Sequence, residues 1–381
     1  MHIISIEPTP SPHSMKIVLN ESLPDGETRN YKDSEIPADA PDYVKELLSI
    51  GGVKGIYHVI DFIALERYPK YTWESILPQV RVSLGTAEED ADVFQTNASD
   101  PDPDKSFGEV KVYIQTFRNI PMQIKLDDGN DEQRFGLPAM FMEAALEASK
   151  NAPNFVMERK WEEKSPRYGA LEEIGSEVAE EIAATYDQNR LNQLVELAIN
   201  NVDISETEEK NVAVSLSVLD DPDWKIRYQV LDRISPSFEN ITFLDKALQD
   251  QKASIRRLAT AYLGMLEEPE VLPYLYKALK DSAVTVRRTA GDCISDLGFK
   301  EALPEMILSL ADPNRLVRWR AAMFIYEVGD QSAITALQNA LDDPEFEVRL
   351  QAKMALERIQ GGEKAKGSVW KQMTEATKQK Q

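Results

Sequence analysis

The chain of 381 residues contains one cysteine, Cys293, and three histidines. No disulfide can close within it, and neither a structural zinc site nor an iron–sulfur cluster held by this chain alone is expected. There is also no apolar run long enough to cross a bilayer. The start, MHIISIEPTPSPHSMKI, has no basic stretch followed by an apolar one, so no secretory signal is expected. A P-loop, a G-x-G-x-x-G after a strand, a G-x-S-x-G and an H-E-x-x-H are all missing. Positive charge is the other shortage, with 43 Lys and Arg against 65 Asp and Glu and a net charge of −22. Residues 219–360 carry −5 and residues 361–381 carry +3, so the first 218 residues hold −20. Such an acidic front half repels phosphate backbones, although solubility alone accounts for most of these charges. A cytoplasmic protein is expected, with no cofactor, metal, nucleic acid or membrane as its ligand.

What the chain does have is a repeat. LQDQKASIRRLATAYLGML at 248 aligns with LKDSAVTVRRTAGDCISDLG at 279, LADPNRLVRWRAAMFIYEVG at 310 and LDDPEFEVRLQAKMALERIQ at 341. LDDPDWKIRYQVLDRIS at 219 is a further copy, and the starting leucines lie 29, 31, 31 and 31 residues apart. Asp221, Asp250, Asp281, Asp312 and Asp343 are each followed six residues later by Arg227, Arg256, Arg287, Arg318 and Arg349. A branched apolar residue precedes each arginine, and Ala259, Ala290, Ala321 and Ala352 follow three residues after theirs (Val230 in the first copy). Together they make one apolar helix face. EVLPYLYKAL, EALPEMILSL and SAITALQNAL supply a second amphipathic helix before the next Asp-containing turn. One such pair cannot bury its own apolar side, but stacked pairs share a core.

These copies resemble the HEAT-like repeats of the phycobilisome lyase type, with their D-P-x-x-x-V-R-x-x-A pattern, over about 150 residues. The resemblance implies an α-solenoid and leaves the activity open. The Asp and Arg ladders are expected to cap helices and tie one layer to the next, in preference to acting as an acid–base pair or a phosphate-binding row. The column next to the arginines is Tyr228, Arg257, Arg288, Trp319 and Leu350. Aromatic and arginine side chains suit a protein interface, so this column is the candidate partner-binding face. Edge packing is the alternative, above all for Trp319.

Residues 1–84 read as an α+β unit. SMKIVL is a strand, PDYVKELLSI a short amphipathic helix, GIYHVI and DFIALERY two strands joined at Asp61, and WESILPQVRVSL a closing helix. TPSPHSMKI, LLSIGGVKGIYHVIDFIAL and WESILPQV make this module similar to the N-terminal domain of Nfu/NifU-type scaffold proteins of iron–sulfur cluster assembly. In that family a C-x-x-C pair in another domain holds the cluster. No such pair exists here, so the resemblance implies the fold and a docking role, and no cluster ligand. His13 and His58 have no second histidine or cysteine at ligand spacing, and His58 reads as structural.

Residues 85–106, with seven acidic side chains and one lysine, read as a flexible linker. Residues 107–186 read as a second α+β domain. EVKVYIQTF and MQIKL form a strand pair, LPAMFMEAALEASK a helix, NFVMERKWEEK a strand and ALEEIGSEVAEEIAATY an acidic helix. The solenoid is expected over 187–360, with LNQLVELAI at its head. A basic tail, 361–381, is read as disordered, with Trp370 as a candidate anchor. Arg118, Arg134 and Trp161 have no role in this reading, and Cys293 reads as a small core residue. The fold class is therefore multidomain: an Nfu-like α+β domain, an α+β middle domain and an all-α HEAT-like solenoid. In this order the parts resemble the conserved virulence factor C family of Firmicutes over essentially the full chain. That resemblance implies a cytoplasmic protein linked to virulence regulation and no established chemistry.

Three functions follow as expectations. The first is a non-enzymatic scaffold that binds protein partners through the solenoid. The second is an accessory of iron–sulfur assembly that docks a cluster carrier without ligating the metal. The third is a lyase-like enzyme built on the repeats.

Overall fold

The computed structural model describes residues 1–9, 11–24, 26–85, 109–150, 152, 154–200 and 215–362. The expected linker from residue 86 onward and the tail from residue 363 onward, Trp370 included, lie outside the described residues. The chain divides into two compact units. One joins Met1–Phe107 to Gly298–Gln381, and the other is Gly108–Leu297.

The first module contains β1 (Ile3–Pro8), β2 (Ser14–Leu19), β3 (Thr28–Lys32), α1 (Asp42–Ser49), β4 (Val53–Val59), β5 (Phe62–Arg67) and α2 (Trp73–Ser83). Its sheet runs β1-β2-β5-β4-β3 with antiparallel pairs. Alternation in β2 and β5 sends Met15, Ile17, Leu19, Ile63 and Leu65 into one core, which Val44 and Leu47 of α1 and Trp73, Ile76 and Leu77 of α2 close. The strands that the sequence did not announce, β1 and β3, are the two edges. TRNYK in β3 buries no residue fully, so it carries no apolar alternation to read.

The middle module has β6 (Glu109–Phe117), β7 (Ile120–Asp127), β8 (Glu132–Gly136), α3 (Ala139–Ser149), α4 (Phe155–Glu158), β9 (Arg159–Tyr168), α5 (Leu171–Thr185) and α6 (Gln188–Ile199). The sheet order is β8-β7-β6-β9. The segment expected as one strand from Asn154 begins with the helical turn α4 before β9. Helix α6, expected at the head of the solenoid, buries Leu191, Leu194 and Val195 in the core of this module instead. An amphipathic pattern shows that a helix has an apolar face, not which core receives it. Arg118, unexplained by the sequence, sits with Asn119 in the tight β6–β7 turn at φ of 47° and 65°. It donates to Glu158 at 2.8 Å and to the Ala198 carbonyl near the end of α6 at 2.5 Å.

The same unit continues into α7 (Trp224–Asp232), α8 (Ile241–Ala247), α9 (Ala253–Gly264), α10 (Leu272–Ala278) and α11 (Val284–Leu297). The first unit holds α12 (Leu303–Ser309), α13 (Arg315–Val328), α14 (Ile334–Ala340) and α15 (Phe346–Gln360). Within the units α9 packs on α11 and α13 on α15, with Ala259, Ala290, Ala321 and Ala352 fully buried. A Cβ on Gly264 would collide with Cys293, so glycine permits the close approach of α9 and α11. The Cys293 thiol faces the Thr260 carbonyl at 3.6 Å, and burial pushes its pKa up.

The ladder ties the layers as expected. Arg227 grips Asp250 through two bonds of 2.7 and 2.9 Å, Arg256 grips Asp281 at 2.7 and 2.8 Å, and Arg318 grips Asp343 at 2.6 and 2.9 Å. Each arginine also donates to the carbonyl of its own Asp, at Asp221, Asp250 and Asp312. Each Asp in turn accepts a backbone N–H two residues ahead, as Asp250 does from Lys252 and Asp343 from Glu345. One carboxylate therefore orders its turn and anchors the preceding layer.

Candidate functional site

The column Tyr228, Arg257, Arg288, Trp319 and Leu350 lies on α7, α9, α11, α13 and α15, beside the buried faces, as the spacing requires. It is not an open face. Tyr228, Arg288 and Trp319 are each 4% exposed, and Arg257 and Leu350 are half-buried. In both units other parts of the same chain cover it.

In the unit Gly108–Leu297 the cover is charged. Glu181 of α5 accepts from Arg257 at 3.1 Å and from Arg167 of β9 at 2.6 Å. Burial alone would raise the Glu181 pKa, but the two guanidiniums overcome it and hold the carboxyl below its ordinary value. Burial raises the Tyr228 phenol well above its ordinary pKa, with the Glu181 charge adding to the effect. Arg288 stands over Tyr168 of β9, its guanidinium carbon 3.2 Å from the ring centroid, with Asp292 at 3.7 Å.

In the unit holding the N-terminal module the cover is mostly apolar. Trp319 packs with Met323 and Val348, while Phe346 and Leu350 of α15 join the core of the N-terminal sheet. One ion pair sits within it. Arg67 of β5, 2% exposed, donates to Glu347 of α15 at 3.1 Å, to the Pro12 carbonyl at 3.3 Å and to the Tyr71 carbonyl. The Trp73 indole donates to the same Pro12 carbonyl at 2.9 Å. The last arginine of the ladder, Arg349, lies 3.8 Å from Glu74 of α2.

The expected open partner-binding face is therefore corrected. Position along the repeat was legible, but a one-dimensional pattern does not reveal that another part of the chain covers a surface. Arg134 and Trp161, left without a role by the sequence, lie elsewhere on an open face. In the middle sheet Val112, Ile124 and Leu126 point into the core, so the alternate residues Tyr113, Gln123 and Lys125 point away from it. There Lys125 stands over Tyr113 at 4.4 Å and Trp161 at 5.3 Å, and Arg134 over Trp161 at 5.8 Å. Gln123 donates to Gln115 at 2.7 Å. A period-two reading of β6 and β7 could have found this face, but its partner strand β9 has no apolar alternation of its own.

His58 is buried, its Nδ1 2.7 Å from the Tyr43 hydroxyl. Arg29 donates to that hydroxyl at 3.2 Å. Burial first, and then the Arg29 charge, lowers the His58 pKa. Among the described residues no group of three or more His, Cys, Asp or Glu is placed to hold a metal ion. No described helix is long and apolar enough to cross a membrane.

Comparison with known proteins agrees with this architecture. A family model described as scaffold protein Nfu/NifU N terminal matches residues 4–89. One described as virulence factor matches 115–195, and HEAT repeats match 212–294, 275–357 and 303–376. The protein YpgR of Bacillus subtilis is 57% identical over 380 residues, covering 99% of each chain. Conserved virulence factor C of Staphylococcus saprophyticus is 44% identical over 277 residues, covering 72% of each. The crystal structure of protein SAV1430 from Staphylococcus aureus, 36% identical, covers 22% of this chain and 98% of its own, with a TM-score of 0.21. The chain therefore belongs to the family of the conserved virulence factor C proteins.

Proposed function

We propose that this protein is a non-enzymatic cytoplasmic adaptor, in which helical repeats carry two α+β modules and offer the modules' outer faces to protein partners. The observation behind this reading is the covered column. Where a solenoid would grip a partner, Tyr228, Arg257, Arg288, Trp319 and Leu350 grip the chain itself. The repeats then act as a frame, and recognition falls to exposed faces such as the one around Trp161, 36% exposed, with Lys125 and Arg134 beside it. An aromatic with flanking cations suits a protein interface.

Affinity capture with the full chain from its own cells tests this. The expected outcome is a defined partner recovered by the wild type and lost with Trp161→Ala plus Arg134→Ala. Recovery unchanged in that variant would remove the outer face from the proposal. A second reading rests on the Nfu/NifU N-terminal match at residues 4–89: docking of a cluster carrier without ligating its metal. Comigration of the full chain with a cluster-loaded carrier on gel filtration supports it, and independent migration counts against it.

A further inference from the structure

Helix α4 is a single helical turn, fastened on one side and bare on the other. Its inward residues, three apart, are both clamped. Phe155 meets Phe117 edge-on, 4.7 Å between ring centroids, and lies under the Arg159 guanidinium at 5.2 Å. Glu158 accepts from Arg118 Nε at 2.8 Å. Arg118 does so from a positive-φ position in the β6–β7 turn, where a side chain of this kind is uncommon. The outward residues are Val156 and Met157, 65% and 82% exposed. Met157 is the most exposed large apolar side chain among the described residues, and Met142 and Leu146 of the preceding helix α3 are exposed as well. Scattered single apolar residues on a surface need no explanation. Two adjacent ones on a turn held by three separate side-chain contacts do, because the backbone that presents them has little freedom left to lose on binding.

The charge beside this pair is cationic. Arg159 and Lys160 follow it, and the carboxylate between, Glu158, is engaged by Arg118. Farther along β9, Glu162 is engaged by Lys164 and Thr116. We propose that Val156 and Met157 form a preorganised anchor that enters an apolar pocket with a carboxylate rim on a protein partner. This rests on the adaptor reading and deepens it by naming what the partner must supply. A bilayer also takes apolar side chains flanked by cations. An extended anionic surface, however, meets the whole acidic front half of the chain, with its net charge of −20 over the first 218 residues. A partner's rim meets only the charges within about 8 Å, the Debye length in physiological salt, and here those are Arg159 and Lys160.

The test places the photocrosslinker benzoylphenylalanine at position 157 of the full chain in its own cells. Illumination should join it to one protein, with the crosslinked peptide mapping to an apolar pocket bordered by Asp or Glu. That protein, purified and titrated, should bind Val156→Ser plus Met157→Ser about tenfold or more weakly than the wild type. Tm should not change in this variant, because both side chains are exposed. Lys160→Glu should weaken binding more at low salt than at high salt. Arg118→Ala frees the turn and should weaken binding too, while Arg118→Lys, which keeps a cation for Glu158, should restore it. Crosslinking only to lipid, only to a second copy of this chain, or to nothing would overturn the proposal. Affinity unchanged in the double serine variant would do the same. A partner lost with Trp161→Ala plus Arg134→Ala but kept by the double serine variant would sink the anchor alone, whereas no capture by the wild type would sink the adaptor reading itself.

Discussion

The same column of the same repeat is covered in opposite ways in the two units. Over Tyr228, Arg257 and Arg288 the middle module lays a carboxylate between two arginines and a tyrosine ring under a third. Over Leu350 the N-terminal module lays an apolar core with one buried ion pair, and Trp319 packs on Met323 and Val348 of the repeats. The repeat therefore fixes where a neighbour can sit, while the residue at one position per copy decides the chemistry. An apolar contact tolerates small shifts and depends on filled volume. A buried charged contact depends on every partner being present, because a lone charge left behind is penalised heavily.

Several variants would break or sharpen this contrast. Trp319→Ala should cost about 3–5 kcal/mol in urea unfolding of the full chain, because the cavity adds to the lost burial; a cost well under that would mean the indole is not packed as described. Glu181→Gln should follow at roughly 3 kcal/mol, since Arg167 and Arg257 lose their shared countercharge. The acid response separates the two contacts. The folded Glu181 pKa is lowered, so its contribution is complete above the ordinary glutamate value near 4.3 and is lost as pH falls through the folded one. Hydrogen-exchange protection factors in α5 and β9 should therefore fall on acidification in the wild type, with that dependence gone in Glu181→Gln.

Asp343→Ala should cost about 2 kcal/mol by stranding Arg318, and it should do so without disturbing either module. His58 gives a smaller slope at milder pH. Its folded pKa is lowered, so stability is complete above about 6.5 and declines as pH falls below that, and His58→Gln should flatten the urea midpoint between pH 7.5 and 5.5. The smallest effect belongs to the exposed Lys300–Asp330 pair at 2.9 Å, where Lys300→Ala should cost about 0.5 kcal/mol or less.

Legibility followed periodicity. The repeats, the ladder and helices α1 and α2 could all be read because an apolar face recurs at helical spacing or a polar residue recurs at a fixed turn. Edge strands β1 and β3 could not, since few of their side chains enter a core. The candidate column was placed on the correct helices but given an open face. Trp319 illustrates why: an exposed interface residue and one buried against the chain itself occupy the same slot in the pattern.

By itself the sequence determined the kind of molecule: two sheet-containing modules and a stack of short helices that need neighbours to bury their apolar sides. Spacing of 31 residues and the Asp–Arg pairs are local facts, and local facts survive reading along a line. Only the tertiary structure decided what lies against the stack, that α6 belongs to the middle core, and that Arg67 of an N-terminal strand meets Glu347 of the last helix. Those outcomes depend on which surfaces far apart in the chain match in shape and charge, and no single segment encodes both sides of such a match.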